Sequence, residues 1–403
     1  MIPTLLGQHN PSGKPQAELW MGAHLGASSM AVLDDELIPL HDLIARDPVS
    51  MLGTATVDAF GPYLPFLFKL LAAAKPLSIQ AHPNLVQARE GWERENAAGI
   101  PLGSVKRNYK DPNHKPEILC ALTPFRAMCG FRHPTEIYRL LGELGAGKQK
   151  QAGILHKIRQ TVSHCGNDWQ DVSQSLKSFL RALFSLPQTE RTGFVAIVGD
   201  LANNLKDSDT NDRELWRMIG DFVKAYPSDP AVLAPVYLNT LDLAPGEAVY
   251  LPAGVLHAYV EGFGIELMAN SDNVLRGGLT SKHIDLQELE RVLRFEAWKP
   301  QVLVAENDGK SSGGYYPTPD GEFTLRTISS GDGNGEFRLP QDSPQIVLVT
   351  EGSFRIEAVD SQGLTLNKGE SSFISARCID PVLRGQGTVW IATTGLGKGT
   401  NRL

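Results

Sequence analysis

Apolar positions change their spacing twice along the chain. In the first third they come in short runs broken by Gly, Pro and Asp, of which Leu64 to Leu71 (LPFLFKLL) is the clearest. Such runs read as buried strands separated by turns. From His133 the texture changes. Val172, Leu176, Phe179, Leu180, Leu183 and Phe184 recur at helical spacing, and Leu215, Ile219, Phe222 and Tyr226 do the same. This predicts a mainly helical segment over 133–230. Short strands and Gly/Pro turns then return, with one helical interruption near Asp285 to Phe295.

The pattern L-x-L-x-x-G-E, two residues, then aromatic-[LI]-x-A occurs twice, starting at Leu241 and at Leu364. That separation is too long for a solenoid repeat and suits a duplicated domain. Strand, Gly-Glu turn and strand predict a hairpin in a β-sandwich or jelly roll. The copies differ where chemistry matters: His257 in the first has Asp380 at the matching offset in the second. A metal is therefore expected only in the first copy.

Composition narrows the classes. The chain has 403 residues, 42% hydrophobic and 21% charged, with a formal net charge of −7. This accommodates two or three domains with ample core. The acidic total and the lack of a long basic run argue against nucleic acid as partner. No window approaches the ~20 apolar residues of a membrane span, and MIPTLLGQHN lacks the features of a secretory signal. Cys120, Cys129, Cys165 and Cys378 are scattered without a CxxC, which fits a reducing cytosol.

Three segments hold candidate metal ligands. Gln80 and His82 stand two apart and share a strand face. Glu117 follows NYKDPNHKP, where Pro112 and Pro116 enforce extended backbone. His257 follows the turn Leu251 to Gly254. Two imidazoles, a carboxylate and an amide oxygen suit a borderline ion such as Zn²⁺. Such a set is catalytic with an open coordination position and structural without one. A second group, SDNVLRGGLTSK (271–282), offers Arg276 and Lys282 around a Gly-Gly pair. It reads as a phosphate-holding loop or as a surface loop with two solvated cations.

Tyr109 to Glu117 resembles the Y-x-D-x-N-H-K-P-E signature of type I phosphomannose isomerases. The blocks AELWMG (17–22), LSIQAHP (77–83) and SDNVLR (271–276) resemble further family blocks in the family's order. The resemblance runs from about Ala17 to Phe295, with a weaker C-terminal match. It implies a mainly β chain with a helical insertion, made of two cupin-type jelly-roll β-sandwiches and an α-helical domain. The expected division is 1–132 with 231–300 (catalytic cupin), 133–230 (helical) and 301–403 (second cupin). It implies zinc-dependent interconversion of mannose 6-phosphate and fructose 6-phosphate, with Zn²⁺ on Gln80, His82, Glu117 and His257. It implies Arg276 as the catalytic arginine, Lys115 and Glu266 near the reacting carbons, and Lys69, Ser78 and Lys282 as phosphate contacts. Trp20 is either a wall for the sugar or core.

The family's N-Y-x-W-G block has no counterpart in MIPTLLGQHNPSGKPQ. A lost edge strand, or a start placed too far downstream, is expected to thin the pocket wall. Either Lys115 or Glu266 would act as base. Asn113 and His114 are expected to form a turn and pack. His24, His41, His133, His156, His164 and His283 are expected to be structural or at the surface. An iron oxygenase and a non-catalytic sugar-phosphate sensor remain rival readings. We expect a cytoplasmic monomer whose partner is a small sugar phosphate.

Overall fold

The structure is a computed structural model. It describes residues 1–396 apart from 11–12, 34, 147–152, 164–165, 167, 208–210, 308–312 and 360, and the side chains of 332–334. His164 and Cys165 lie outside the described residues. Helices and antiparallel sheets share the chain in comparable lengths, so the fold is mixed rather than mainly β.

The apolar run after Leu64 forms the strand Phe66–Ala73, as its composition predicts. The surrounding segments were expected to be strands and turns, and several are helices instead. Leu40–Arg46, Pro48–Leu52 and Thr54–Phe60 precede it, and Leu85–Ala97 follows. Their start signals are local. Asp47 accepts a hydrogen bond from Ser50 N with Pro48 in the first turn, and Asn84 forms a capping box with Gln87. Leu85–Ala97 carries no apolar stripe because it packs through Ala88, Gly91 and Glu95. Short side chains let the helix approach closely and leave the hydrophobic period invisible.

From Pro134 to Ala225 the described elements are all helices. Val172, Leu176, Phe179, Leu180, Leu183 and Phe184 are all buried on Trp169–Phe184, and Leu215, Ile219 and Phe222 on Arg213–Ala225. Their core is continuous with Ile79, Ala81, Met128 and Leu256 of the sheet region. The Tyr226 hydroxyl donates to Pro76 O at 3.0 Å and ties the helices to the same strands. Leu286–Val292, capped by Asp285, is the later helical interruption.

Ten strands form one sheet, ordered Glu18–Met21, Phe66–Ala73, His257–Ala269, Glu117–Ala121, Ala248–Leu251 and Val302–Leu303 along its main path. Among the described strands Glu18–Met21 pairs only with Phe66–Ala73 and forms an edge. The long strand His257–Ala269 pairs with Ile79–Ala81 and Phe125–Phe131 through its first half. Its second half pairs with Phe66–Ala73 and Glu117–Ala121. A seven-stranded sheet follows in the C-terminal part. The two sheets share one core in which Phe68, Ile118 and Ile265 join Tyr316, Ile346 and Trp390.

The repeated Gly-Glu turns have the same geometry in both copies. Gly246 and Gly369 each adopt φ 87°, a left-handed conformation that favours glycine. Glu247 accepts from Ala244 N at 2.8 Å, and Glu370 accepts from Asn367 N at 2.7 Å. The expected hairpins do not form. Leu238–Leu243 pairs with Phe125–Phe131 while Ala248–Leu251 pairs with Glu117–Ala121. Leu364–Asn367 and Ser371–Ile374 pair with different ends of Gln345–Glu357. Each turn is a corner that passes the chain between strand partners.

At Gly91 an added methyl would lie 2.3 Å from the ring of Tyr109. Tyr109 is 1% exposed, so the ring has no free space to enter. Gly91→Ala is expected to destabilise the protein by about 1–3 kcal/mol, the usual cost of overpacking. A thermal melt checks this, and an unchanged midpoint would show that the helix and the Tyr109 segment are loosely packed.

Candidate active site

The strand His257–Ala269 sets the registry of the site. Trp20 lies opposite Lys69, and Lys69 opposite Glu266. In a second row His257 lies opposite Gln80, and Gln80 opposite Arg276. Opposed residues on neighbouring strands share a face. The first row is tied by charge: Lys69 Nζ stands 3.0 Å from Glu266 Oε2, 3.8 Å from Glu18 Oε2 and 5.0 Å from the Trp20 ring centre. Trp20 Nε1 donates to Glu18 Oε2 at 2.6 Å.

Behind these rows sits a buried carboxylate between two imidazoles. Glu117 Oε1 is 3.3 Å from His82 Nε2, and Glu117 Oε2 is 3.4 Å from His257 Nε2. Glu117 is 0% exposed, His82 2% and His257 1%. The His82 Nδ1–H donates to Asn273 O at 2.6 Å, and the His257 Nδ1–H to Val255 O at 2.9 Å. Each Nδ1–H is thereby spent, and each Nε2 presents its lone pair to the centre. His82 Nε2, His257 Nε2 and Glu117 Oε1 have no hydrogen-bond partner. Lys115 Nζ approaches Glu117 Oε1 to 2.8 Å as an ion pair without hydrogen-bond alignment. Buried polar atoms left this way are costly unless something binds them. One ligand atom from each residue lies within 4.8 Å of the others. The donor set and its convergence fit Zn²⁺.

The electrostatics agree. Burial pulls the His82 pKa down to about 4, with Lys115 adding to it, so the ring is neutral and able to ligate. Burial alone would raise the pKa of Glu117, but Lys115 and His82 outweigh it and hold the carboxyl well below its usual range. Burial raises the pKa of Glu266 against the opposing pull of Lys69. Burial would lower the pKa of Lys69, but Glu266, Glu18 and Glu117 prevail and raise it.

A cavity of about 700 Å³ opens in front of these groups. Trp20, Lys69, Ser78, Gln80, Lys115, Glu266, Arg276 and Lys282 all line it. Trp20 is half-buried and serves as wall rather than core. Lys69 is 4% exposed and committed to Glu266, whereas Lys282 is exposed at the rim. Thus each candidate ligand, catalytic or substrate-binding residue either lines the cavity or belongs to the buried cluster behind it. His114 lies elsewhere: its Nε2–H donates to Glu322 Oε1 at 2.6 Å, toward the C-terminal part. Asn113 N donates to Asp111 Oδ1 at 2.9 Å in the expected turn.

Sequence reasoning missed Asn273, Asp111, Lys110 and Asp272. Asn273 is 0% exposed. Its Oδ1 accepts from Lys110 N at 2.7 Å, and its Nδ2 donates to Asp111 O and Asn113 O at 2.8 Å each. Asp111 returns the contact, accepting from Ser271 Oγ and Asp272 N at 2.8 Å. The two motif segments are thereby zipped together beside His82. His24, expected to be structural or at the surface, pairs with Asp272 at 3.0 Å and packs edge-on against Trp20. Asp111 and Asn273 stand inside the quoted motifs, so a pairing of short polar side chains between proline- and glycine-rich loops was the available signal.

Known proteins agree with this geometry. The pattern of the phosphomannose isomerase type I catalytic domain matches residues 2–134. Mannose-6-phosphate isomerase of Escherichia coli K12 is 39% identical over 95% of this chain and 92% of its own length. The chain belongs to the type I phosphomannose isomerase family. The human mannose-6-phosphate isomerase is 34% identical over 90% of this chain and 84% of its own. A zinc-bound crystal structure of mannose 6-phosphate isomerase superposes with TM-score 0.83 at 36% identity, covering 98% of this chain and 95% of that one. A point mutant of the Salmonella typhimurium phosphomannose isomerase gives TM-score 0.84, also at 36% identity.

In this family member Asn273 is the latch between the metal-bearing and arginine-bearing segments. Asn273→Ala would leave the Lys110 amide and the Asp111 carbonyl without this partner, and Asn113 O with only the Ser271 hydroxyl at 3.2 Å. We expect a loss of about 2–4 kcal/mol, since each orphaned group costs roughly 1–3 kcal/mol. Zinc affinity is expected to fall about tenfold as the backbone carbonyl of residue 273, which orients His82, is no longer held in place by the side chain. Denaturant unfolding and chelator competition measure the two effects, and wild-type values in both would refute the latch.

Proposed function

We propose that this protein interconverts D-mannose 6-phosphate and D-fructose 6-phosphate with one Zn²⁺ on His82, Glu117, His257 and the Gln80 amide oxygen. The observation that carries the reading is the convergence of three buried ligand atoms without hydrogen-bond partners behind a cation-rich cavity, in a chain of this family. When bound, the ion supplies Lewis acidity to the oxygens of the sugar.

The isomerisation moves a proton between C1 and C2 through an enediol and needs a base beside those carbons. Glu266 suits that task. Burial raises its pKa while Lys69, 3.0 Å away, favours its charged form. Lys115 is drawn to Glu117 and serves as a fixed positive charge near the reacting oxygens. Arg276 stabilises negative charge developing on the substrate without giving up its own proton. Trp20 walls the sugar, and Ser78 and Lys282 contact its phosphate. Lys69 acts on the phosphate through its charge while it holds Glu266.

The same reading takes the chain as two cupin-type jelly rolls (1–132 with 231–300, and 301–403) around a helical domain (133–230). The identical Gly-Glu corners support the duplication. The counterpart of His257 is Asp380, whose side chain is 52% exposed, which supports a single metal in the first copy. We take the protein to act as a monomer in the cytoplasm, which suits a phosphorylated metabolite. No helix among the described residues is long and apolar enough to cross a membrane. The relatives carry isomerase names, and nothing in them favours an oxygenase or a sensor.

Purified protein is expected to convert mannose 6-phosphate to fructose 6-phosphate, to lose that activity to a chelator and to regain it with Zn²⁺. Zinc-loaded, folded protein without turnover would overturn the assignment. Glu266→Gln is expected to lower kcat by about 10²–10⁴-fold, the usual contribution of a positioned base. A kcat within a few-fold of wild type, at equal zinc content, would move the base role to another residue.

A further inference from the structure

The cavity holds five cations, and their partners divide them. Lys69 is paired with Glu266 and Lys115 with Glu117. Among the described residues, Lys110, Arg276 and Lys282 form no ion pair with a carboxylate, yet all three line the same cavity. Asp272 lines the cavity too, but three cations without a directly paired carboxylate facing one space favour a multiply charged anion.

Lys110 is the member that the motif reading left without a task. Its Nζ donates to Leu102 O at 2.5 Å and more weakly to Ser104 O at 3.4 Å. An ammonium has three N–H donors, so one remains. Carbonyl partners orient the ammonium without neutralising it. The backbone below is fixed as well. Lys110 N donates to Asn273 Oδ1 at 2.7 Å. The Arg107 guanidinium donates to Tyr109 O, Ile100 O and Asn96 Oδ1 at 2.5, 2.8 and 2.7 Å, which holds the adjoining loop in place. Burial, then the Arg107 charge, pull the pKa of Lys110 down. Glu95 and Asp272 oppose that pull through their charge, but neither is in ion-pair contact with the ammonium.

We propose that Lys110 is a further substrate-binding residue, whose remaining N–H pairs with the phosphate monoester of the sugar phosphate together with Arg276 and Lys282. The inference rests on the isomerase reading and adds a preorganised anion contact to it. A donor already oriented by the fold loses little freedom on binding, so the contact favours phosphorylated over neutral sugar. Leu102 is brought to the cavity wall by the same hydrogen bond.

The test compares wild type, Lys110→Met and Lys110→Arg, each loaded with zinc and checked by thermal melt. Isomerase kinetics give KM and kcat, and calorimetric titration with inorganic phosphate gives anion affinity. Lys110→Met is expected to raise KM about tenfold and to weaken phosphate binding in parallel, as the loss of one charge-assisted hydrogen bond implies. Its kcat is expected to stay within a few-fold of wild type, and Lys110→Arg to recover part of both losses. Phosphate affinity within twofold of wild type in Lys110→Met would overturn the inference, including the case where KM alone rises because the loop has come loose. Wild-type protein that binds phosphate but turns over no mannose 6-phosphate would overturn the isomerase reading instead, and the phosphate titration would still decide the role of Lys110.

Discussion

The site depends on a carboxylate held ionised where water does not reach. Glu117 has no exposed surface, and an isolated buried carboxylate would take up a proton. Lys115 and the two imidazoles offset the burial. The charge is tolerable only when the chain places those partners within a few ångströms: Lys115 comes from the same segment, and the two histidines from distant ones. Pro116 keeps the approach to Glu117 extended, so Lys115 and Glu117 reach the same region. Removing any partner would leave the rest as buried, uncompensated polar groups.

One strand makes that meeting possible. His257–Ala269 carries His257 near one end and Glu266 near the other, and its register partners supply Gln80, Lys69 and, through Gln80, Arg276. A one-residue slip would turn each of these side chains to the other face. The helices inserted between the ligands in sequence stiffen this arrangement. Their core runs into Ile79, Ala81 and Leu256, directly beneath Gln80, His82 and His257. Both histidines are then oriented by backbone carbonyls, which belong to segments fixed by the fold rather than to mobile side chains.

The internal repeat shows which constraint is structural and which chemical. Both copies keep a glycine at φ 87° and a glutamate that caps the residue three before it. The corner demands these residues whatever follows. Past the corner the copies diverge, one leading to a buried histidine and the other to an exposed aspartate. The C-terminal sheet instead covers the outer face of the first. Its Tyr316 hydroxyl donates to Gly246 O at 2.7 Å and stands 3.2 Å from Cys120 Sγ.

The sequence by itself determined the donor chemistry and the helices that bury large side chains. Whether a side chain can bind zinc is a property of its atoms, so Gln80, His82, Glu117 and His257 were legible as candidate ligands, and folding brings His82, Glu117 and His257 together. The stripe from Val172 to Phe184 was legible because a helix that buries large side chains must repeat them every three or four residues. Leu85–Ala97 was hidden because Ala88 and Gly91 pack through smallness. Only the tertiary structure decided which strands pair. The Gly-Glu turns looked like hairpins because local residues fix a turn but not the partner of the strand that leaves it. It also decided the latch at Asn273, whose side chain reaches residues 160 to 163 positions away. The division between spent and free cations was settled in the same way. A lysine reads alike everywhere in a sequence, and only folding places Glu266 beside Lys69 and two bare carbonyls beside Lys110.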